Sequence, residues 1–309
     1  MRQPDEARPF GRLLTAMVTP FTADGGLDVD GAQRLATHLV DEQRHDGLVI
    51  NGTTGESAVT TDEEKDRLLR AVIEAVGDRA AVVAGAGTND TAHTVHLAEA
   101  AAKAGADGLL LVTPYYNRPP QSGLLAHFRA AADATGLPAM LYDIPARSGI
   151  PIETGTLVAL AEHPRIVAVK DAKGDLDASA WVMARTDLAY YSGDDKVTLP
   201  LLSIGAVGVV GVPTHLVGAR TKDMIEAYAA GDVAGALAAH RSLLPAYTGF
   251  FRTQGAILAK AALGLVGLPG GPVRLPLVDA TAEQVETLRA DLTAAGVSLP
   301  GQALTGGSR

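Results

Sequence analysis

Ile166-Val-Ala-Val-Lys-Asp-Ala172 (IVAVKDA) is an almost uninterrupted apolar run of strand length with one lysine set inside it. Seven runs of the same kind accompany it: LTAMVTPF from Leu14, GLVING from Gly47, AVVAGAG from Ala81, GLLLVTP from Gly108, PAMLYDIP from Pro138, LAYYSGDD from Leu188 and GVVGVPT from Gly208. Amphipathic Ala/Leu/Glu-rich stretches separate them near residues 30–45, 62–76, 91–105, 121–134, 154–162, 175–186, 196–204 and 217–230, so strand and helix alternate. Strands so uniformly apolar are covered on both faces, as happens when helices pack on one side and a barrel interior fills the other. Eight in succession can close on themselves, and the expected fold is α/β, a (β/α)8 TIM barrel over residues 12–230. Beyond residue 230 the strand signal stops, and helical patterns near 232–247, 253–265 and 281–295 predict a C-terminal helical extension over 231–298. Residues 1–11 and 299–309 read as flexible termini.

Composition is consistent with one well-filled enzyme-sized body. Hydrophobic residues make up 47% of the 309 and charged residues 20%. The net charge of −9 comes with no Lys/Arg block able to neutralise phosphates, so a nucleic-acid partner is not expected. The absence of cysteine removes disulfides, thiolate metal sites and cysteine nucleophiles together. The polar N-terminus MRQPDEARPF lacks the apolar core of a signal peptide, and runs such as Leu201 to Val212 are too short and glycine-rich for a membrane span. A cytoplasmic location with no membrane partner is the expectation.

The unusual residues gather at one end of each strand: Thr19 and Pro20, Asn51 to Glu56, Tyr115 to Asn117, Asp143 to Arg147, Lys170 with Asp171, and Ser192 to Asp195. In this architecture catalysis is built at the C-terminal ends of the strands. Alternation along IVAVKDA groups Ile166, Ala168, Lys170 and Ala172 on one face and Val167, Val169 and Asp171 on the other. If the small-residue face points inward, Lys170 carries an ammonium group into the barrel, where desolvation favours the neutral amine, the form that attacks ketones. A lone strand lysine more commonly snorkels to solvent or pairs with its neighbour, here Asp171. The other lysines, at positions 65, 103, 173, 196, 222 and 260, fall in helical or loop segments where a solvated head is the default.

Asn51-Gly-Thr-Thr-Gly-Glu-Ser57 is a glycine-punctuated turn whose N–H groups and Thr53 and Thr54 hydroxyls suit a carboxylate, although a plain βα turn with a helix-capping residue has the same look. Tyr115, Tyr116 and Tyr142 are expected near one mouth, where their hydroxyls suit proton transfer, against the commoner role of a tyrosine as a core residue. Arg147, after the turn Asp143-Ile-Pro-Ala146, is expected at the rim with a fork suited to a second carboxylate, or in a surface ion pair.

Taken in order, VTPF, NGTTGES, AGAGTND, TPYYNRP, LYDIPARSG, VAVKDAKGD and YYSGDD resemble the dihydrodipicolinate synthase and N-acetylneuraminate lyase superfamily from about Leu14 to Leu292. The resemblance implies a metal-independent class I lyase, with no cofactor beyond a covalent pyruvate Schiff base on Lys170. It implies Tyr142 as proton shuttle, Thr53 as its link to Tyr116, Tyr116 reaching into a partner subunit's site, and Thr53 with Thr54 around the pyruvate carboxylate. Gly193 and Val210 would line the substrate site. Synthases within the superfamily carry an arginine five residues after the strand tyrosine, as Arg147 follows Tyr142, and it would bind the carboxylate of L-aspartate 4-semialdehyde. A homodimer, or a homotetramer of two tight dimers, is implied. Lysine-inhibited relatives share Ser57, Ala58, Asn89 and Tyr115 with this chain; Asp62 and Lys65 stand where they have histidines, and His93 where they have a glutamate, so weak or absent lysine inhibition is expected. Gly211 replaces a frequent serine and is expected to widen the pocket slightly. Two other readings remain at this point: a pyruvate-dependent aldolase or dehydratase for a sugar acid, and a barrel that binds without catalysing.

Overall fold

A computed structural model describes residues 7–300, in which the strands β1 (Leu13–Ala16), β2 (Gly47–Ile50), β3 (Ala81–Gly85), β4 (Gly108–Val112), β5 (Ala139–Asp143), β6 (Ile166–Asp171), β7 (Ala189–Ser192) and β8 (Gly208–Gly211) form a closed barrel in chain order. Every neighbouring pair is parallel, and β8 returns to β1 with Val210 opposite Leu14. The helices around it are α1 (Val29–Asp41), α2 (Asp62–Val76), α3 (Thr91–Ala104), α4 (Gln121–Asp133), the single turn α5 (Pro145–Ser148), α6 (Thr154–Ala161), α7 (Leu176–Met183), α8 (Thr198–Leu202) and α9 (Thr214–Ala229). The strands are shorter than the apolar runs that announced them, because residues such as Val18 and Phe21 stay buried after leaving the ladder. α2 starts where its sequence signals place it: Thr61 accepts the Glu64 N–H and Glu64 accepts the Thr61 N–H, a reciprocal cap that uses two otherwise unpaired donors. The wholly buried Leu and Val side chains between strands and helices, Leu48 and Val72 among them, each contribute roughly 1.5–3 kcal/mol of burial.

After α9 come α10 (Val233–Gly249), α11 (Gly255–Leu265) and α12 (Ala282–Ala294). α10 packs on α9 and α12, and α11 on α12 and α9, so the three helices lie against one side of the barrel. Of the stretches expected to be flexible, residues 1–6 and 301–309 lie outside the described residues. The neighbouring Phe10 and Leu299 are buried, at 2% and 4% exposure. Phe10 is held because its ring sits where a side chain on Gly108 would stand, and Tyr191 Oη donates to the adjacent Gly11 carbonyl at 2.9 Å. This N-terminal segment thus closes the bottom of the barrel and leaves the opposite end for the site. Among the described residues no helix is long and apolar enough to cross a membrane.

Candidate active site

Lys170 lies in register with Tyr142 on β5 and Tyr191 on β7, while Asp171 lies in register with Asp143 and Ser192. The second set faces the helices: Asp171 bonds Ser179 on α7, and Asp143 Oδ1 accepts the Ile152 N–H at 3.1 Å. Lys170 therefore points into the barrel. Its residue exposure is 4%, and its Nζ stands 4.2 Å from the centre of the Tyr142 ring. Gly193 makes room for it, since a Cβ there would lie 3.1 Å from Lys170 Cγ.

Burial is the largest influence on the Lys170 amine and pulls it down to about 8, against the attraction of Asp195 and with help from the Arg147 charge. A pKa near 8 leaves roughly a tenth of the amine neutral at pH 7, compared with about one part in 3,000 for an ordinary lysine. The same burial raises the Tyr142 phenol to about 12, so it is a neutral hydroxyl at physiological pH and acts by relaying protons rather than as a phenolate. Asp195, 1% exposed, is pushed up to about 7 by burial, and its Oδ1 has no hydrogen-bond partner among the described residues. The sequence singled Asp195 out only as part of a loop; its charge interaction with Lys170 arises from the closure of β7 beside β6.

A cavity of about 320 Å³ lies beside Lys170 across the Tyr142 ring, which lines it, while Lys170 itself is not among the lining residues. Thr53, Tyr142 and Arg147 line it together, as does Tyr115, with Gln254 and Leu277 arriving from the C-terminal extension. No sequence signal placed these last two at the mouth, because periodicity reports that a helix buries a face and not what it buries it against. Arg147 is exposed at the rim and forms no ion pair among the described residues, leaving its fork free. Thr54 is buried in the turn at 8% exposure, and Val210 is fully buried on β8. The turn passes close to β3: a Cβ at Gly85 would come within 2.4 Å of the Asn51 carbonyl, so only glycine fits. Tyr116 stands apart from the rest, 89% exposed at φ +74° and outside the cavity of its own chain. Thr53 and Tyr142 share the wall, with no hydrogen bond between their hydroxyls among the described residues. Among the described residues no group of three or more His, Asp or Glu is arranged to hold a metal ion.

Several lysines depart from the solvated default. Lys260 is the clearest: its side chain is 3% exposed and paired with Glu56 at 2.6 Å. α11 is apolar all round, and such a helix is buried on every side; that composition was the available signal. Lys65 and Lys173 are also largely buried, Lys65 donating to the Thr60 carbonyl at 2.5 Å and Lys173 pairing with Asp143 at 3.3 Å. The Lys173 partner explains how Asp143 is accommodated on the outer face. Gly211 does not widen the pocket as expected. It packs against Asp195 and Thr214, where a Cβ would lie 2.3 Å from Asp195 Oδ1. In the second site read from the sequence, His93 Nε2 bonds Asp62 Oδ2 at 2.9 Å, and Lys65 stands 3.8 Å from the same carboxylate.

A profile of the dihydrodipicolinate synthetase family matches residues 9–295. The chain is 76% identical over 288 residues to a 4-hydroxy-tetrahydrodipicolinate synthase of Acidothermus cellulolyticus, covering 93% of each. It is 65% identical to one from Streptomyces coelicolor, covering 94% of this chain and 97% of the other. Among solved structures it resembles a DHDPS from Cyanidioschyzon merolae with lysine bound, at 46% identity and a TM-score of 0.91, covering 93% of this chain and 98% of that one. A dihydrodipicolinate synthase from Bacillus anthracis gives 41% and 0.88, covering 92% and 98%.

Proposed function

The chain belongs to the dihydrodipicolinate synthetase family, and from that premise we propose that it works as a 4-hydroxy-tetrahydrodipicolinate synthase, a lyase joining pyruvate to L-aspartate 4-semialdehyde through a Schiff base on Lys170. The observation that carries this reading is the buried, acidified amine of Lys170 against the Tyr142 ring, which is itself a wall of a cavity that Arg147 also lines.

The neutral Lys170 amine adds to the ketone carbon of pyruvate, and loss of water from the carbinolamine gives the imine. Once protonated, the imine acts as an electron sink, so that the methyl group loses a proton to water in the site and the enamine forms. Tyr142, protonated because its phenol is raised to about 12, hands protons to and from the carbinolamine oxygen and the aldehyde oxygen that becomes the hydroxyl. Thr53 and Thr54 hold the pyruvate carboxylate, with Gly193 and Val210 shaping the space around the imine. The enamine carbon attacks the aldehyde of the second substrate, whose carboxylate sits in the Arg147 fork, two parallel charge-assisted bonds that fix its orientation. Attack by that substrate's own amine on the imine carbon closes the ring and frees Lys170. Tyr116, exposed and outside the cavity of its own chain, completes the proton path in the site of a partner subunit, which makes a homodimer or a homotetramer of two dimers the working form.

Turnover of L-aspartate 4-semialdehyde with pyruvate by the wild type and Arg147→Ala tests the choice of acceptor. Loss of bonds to a charged group costs about 1.5–3 kcal/mol, so kcat/KM for the aldehyde is expected to fall roughly 10- to 100-fold with the pyruvate half-reaction intact. Unchanged turnover would remove the assignment.

A further inference from the structure

The turn assigned above to the pyruvate carboxylate is fastened from outside the barrel. Glu56, two residues beyond Thr54, is 4% exposed and adopts φ +56°, a left-handed conformation that L side chains disfavour. Both of its carboxylate oxygens are taken by the C-terminal extension. Oε1 lies 2.6 Å from Lys260 Nζ on α11, and Oε2 accepts the backbone N–H of Arg274 at 2.8 Å. Lys260 is itself fixed, donating to the Pro272 carbonyl at 2.7 Å with its Nζ 4.1 Å from the centre of the Phe21 ring. Arg274 grips Glu64 at the start of α2 with two bonds of 2.6 and 2.8 Å and donates to the Gly25 and Val59 carbonyls. On the turn side, the Glu56 N–H donates to Thr53 O at 3.1 Å, and Thr19 Oγ1 donates to Gly55 O at 2.6 Å. A continuous series of bonds thus runs from α11 through Glu56 to the backbone of Thr53.

A buried ion pair adds little net stability compared with a well-packed apolar pair, because desolvation cancels most of the attraction; what it does impose is geometry. We propose that the Glu56–Lys260 pair is a positioning device for the Thr53–Thr54 turn, so that the C-terminal extension sets the affinity of the barrel for pyruvate. The inference rests on the reading of Thr53 and Thr54 as the carboxylate cradle. Neither Glu56 nor Lys260 need touch the reacting atoms; they act through the threonines.

Lys260→Met, Glu56→Gln and the double variant separate positioning from stability. In Lys260→Met the Glu56 carboxylate is left buried and unpaired, so the thermal midpoint falls. The pyruvate KM rises about tenfold or more, as expected when charged hydrogen bonds to a carboxylate are misaligned, while the aldehyde KM stays within about threefold. The double variant buries no unpaired charge and regains most of the midpoint, yet keeps the raised pyruvate KM. Lys260→Arg, which restores the cation, recovers part of the affinity. A double variant whose pyruvate KM returns to the wild-type value would overturn the proposal, as would single variants with no change in KM. If Lys260→Met does not fold, Glu56→Gln, which keeps an acceptor for Arg274, and the double variant give the same readout. Borohydride trapping of pyruvate on the wild type separates the two readings. Trapping at Lys170 combined with unchanged variant KM values sinks the positioning role alone; no trapping in the wild type removes the Schiff-base reading beneath it.

Discussion

Lys170 has its character from surroundings that the linear sequence encodes in part. The alternation in IVAVKDA put it on the face opposite Asp171, and the register with Tyr142 and Tyr191 places that face inside the barrel. What alternation could not give is the balance of charges around it, because Asp195 acts on the amine from the turn after β7 and Arg147 from the turn after β5. That balance has a kinetic consequence. The protonated amine is inert, so with its pKa pulled down to about 8 the rate of pyruvate addition should rise with pH through that value and level off above it. The measurement is kcat/KM for pyruvate between pH 6 and 10; a profile still climbing steeply at pH 10, as an ordinary lysine gives, contradicts the account. Lys260 marks the limit of reading single residues. One lysine in a helical segment looks solvated until the apolar composition of the whole helix is weighed.

The strands and helices were legible from period and composition, since eight apolar runs separated by amphipathic stretches leave few ways to close a sheet. Their boundaries were less so: burial continues past the last ladder bond, as at Val18. The pairing of α2 with α3 supports a further expectation. Asp62 on α2 and His93 on α3 bond each other at 2.9 Å, at the positions where the resemblance implies a histidine and a glutamate in lysine-inhibited members. With that glutamate's charge gone, nothing at position 93 draws an ammonium group. Turnover assayed with increasing L-lysine should stay flat into the millimolar range, and inhibition at sub-millimolar lysine would contradict this.

At the scale of the whole molecule, the C-terminal helices were visible as helices but not as part of the mouth. Their docking brings Gln254 and Leu277 to the cavity and Lys260 and Arg274 to the β2 turn, and leaves Leu275 and Val278 exposed. Tyr116, at 89% exposure, has no work in its own chain's cavity, so the proposed relay needs a second copy. Sedimentation should therefore find a dimer or tetramer at assay concentration. Tyr116→Phe should lower kcat by about 100-fold, the lower end of what general acid–base groups contribute. A monomer with full activity, or a Phe variant as fast as the wild type, would contradict the shared site.

Every step from cavity to chemistry passes through one covalent bond, that between pyruvate and Lys170. Borohydride reduction in the presence of pyruvate, followed by peptide mass mapping, tests it directly. The account predicts a pyruvate-derived increment on the peptide bearing Lys170, dependent on pyruvate and absent from Lys170→Ala; no increment, or one carried by another lysine such as Lys260, would contradict it.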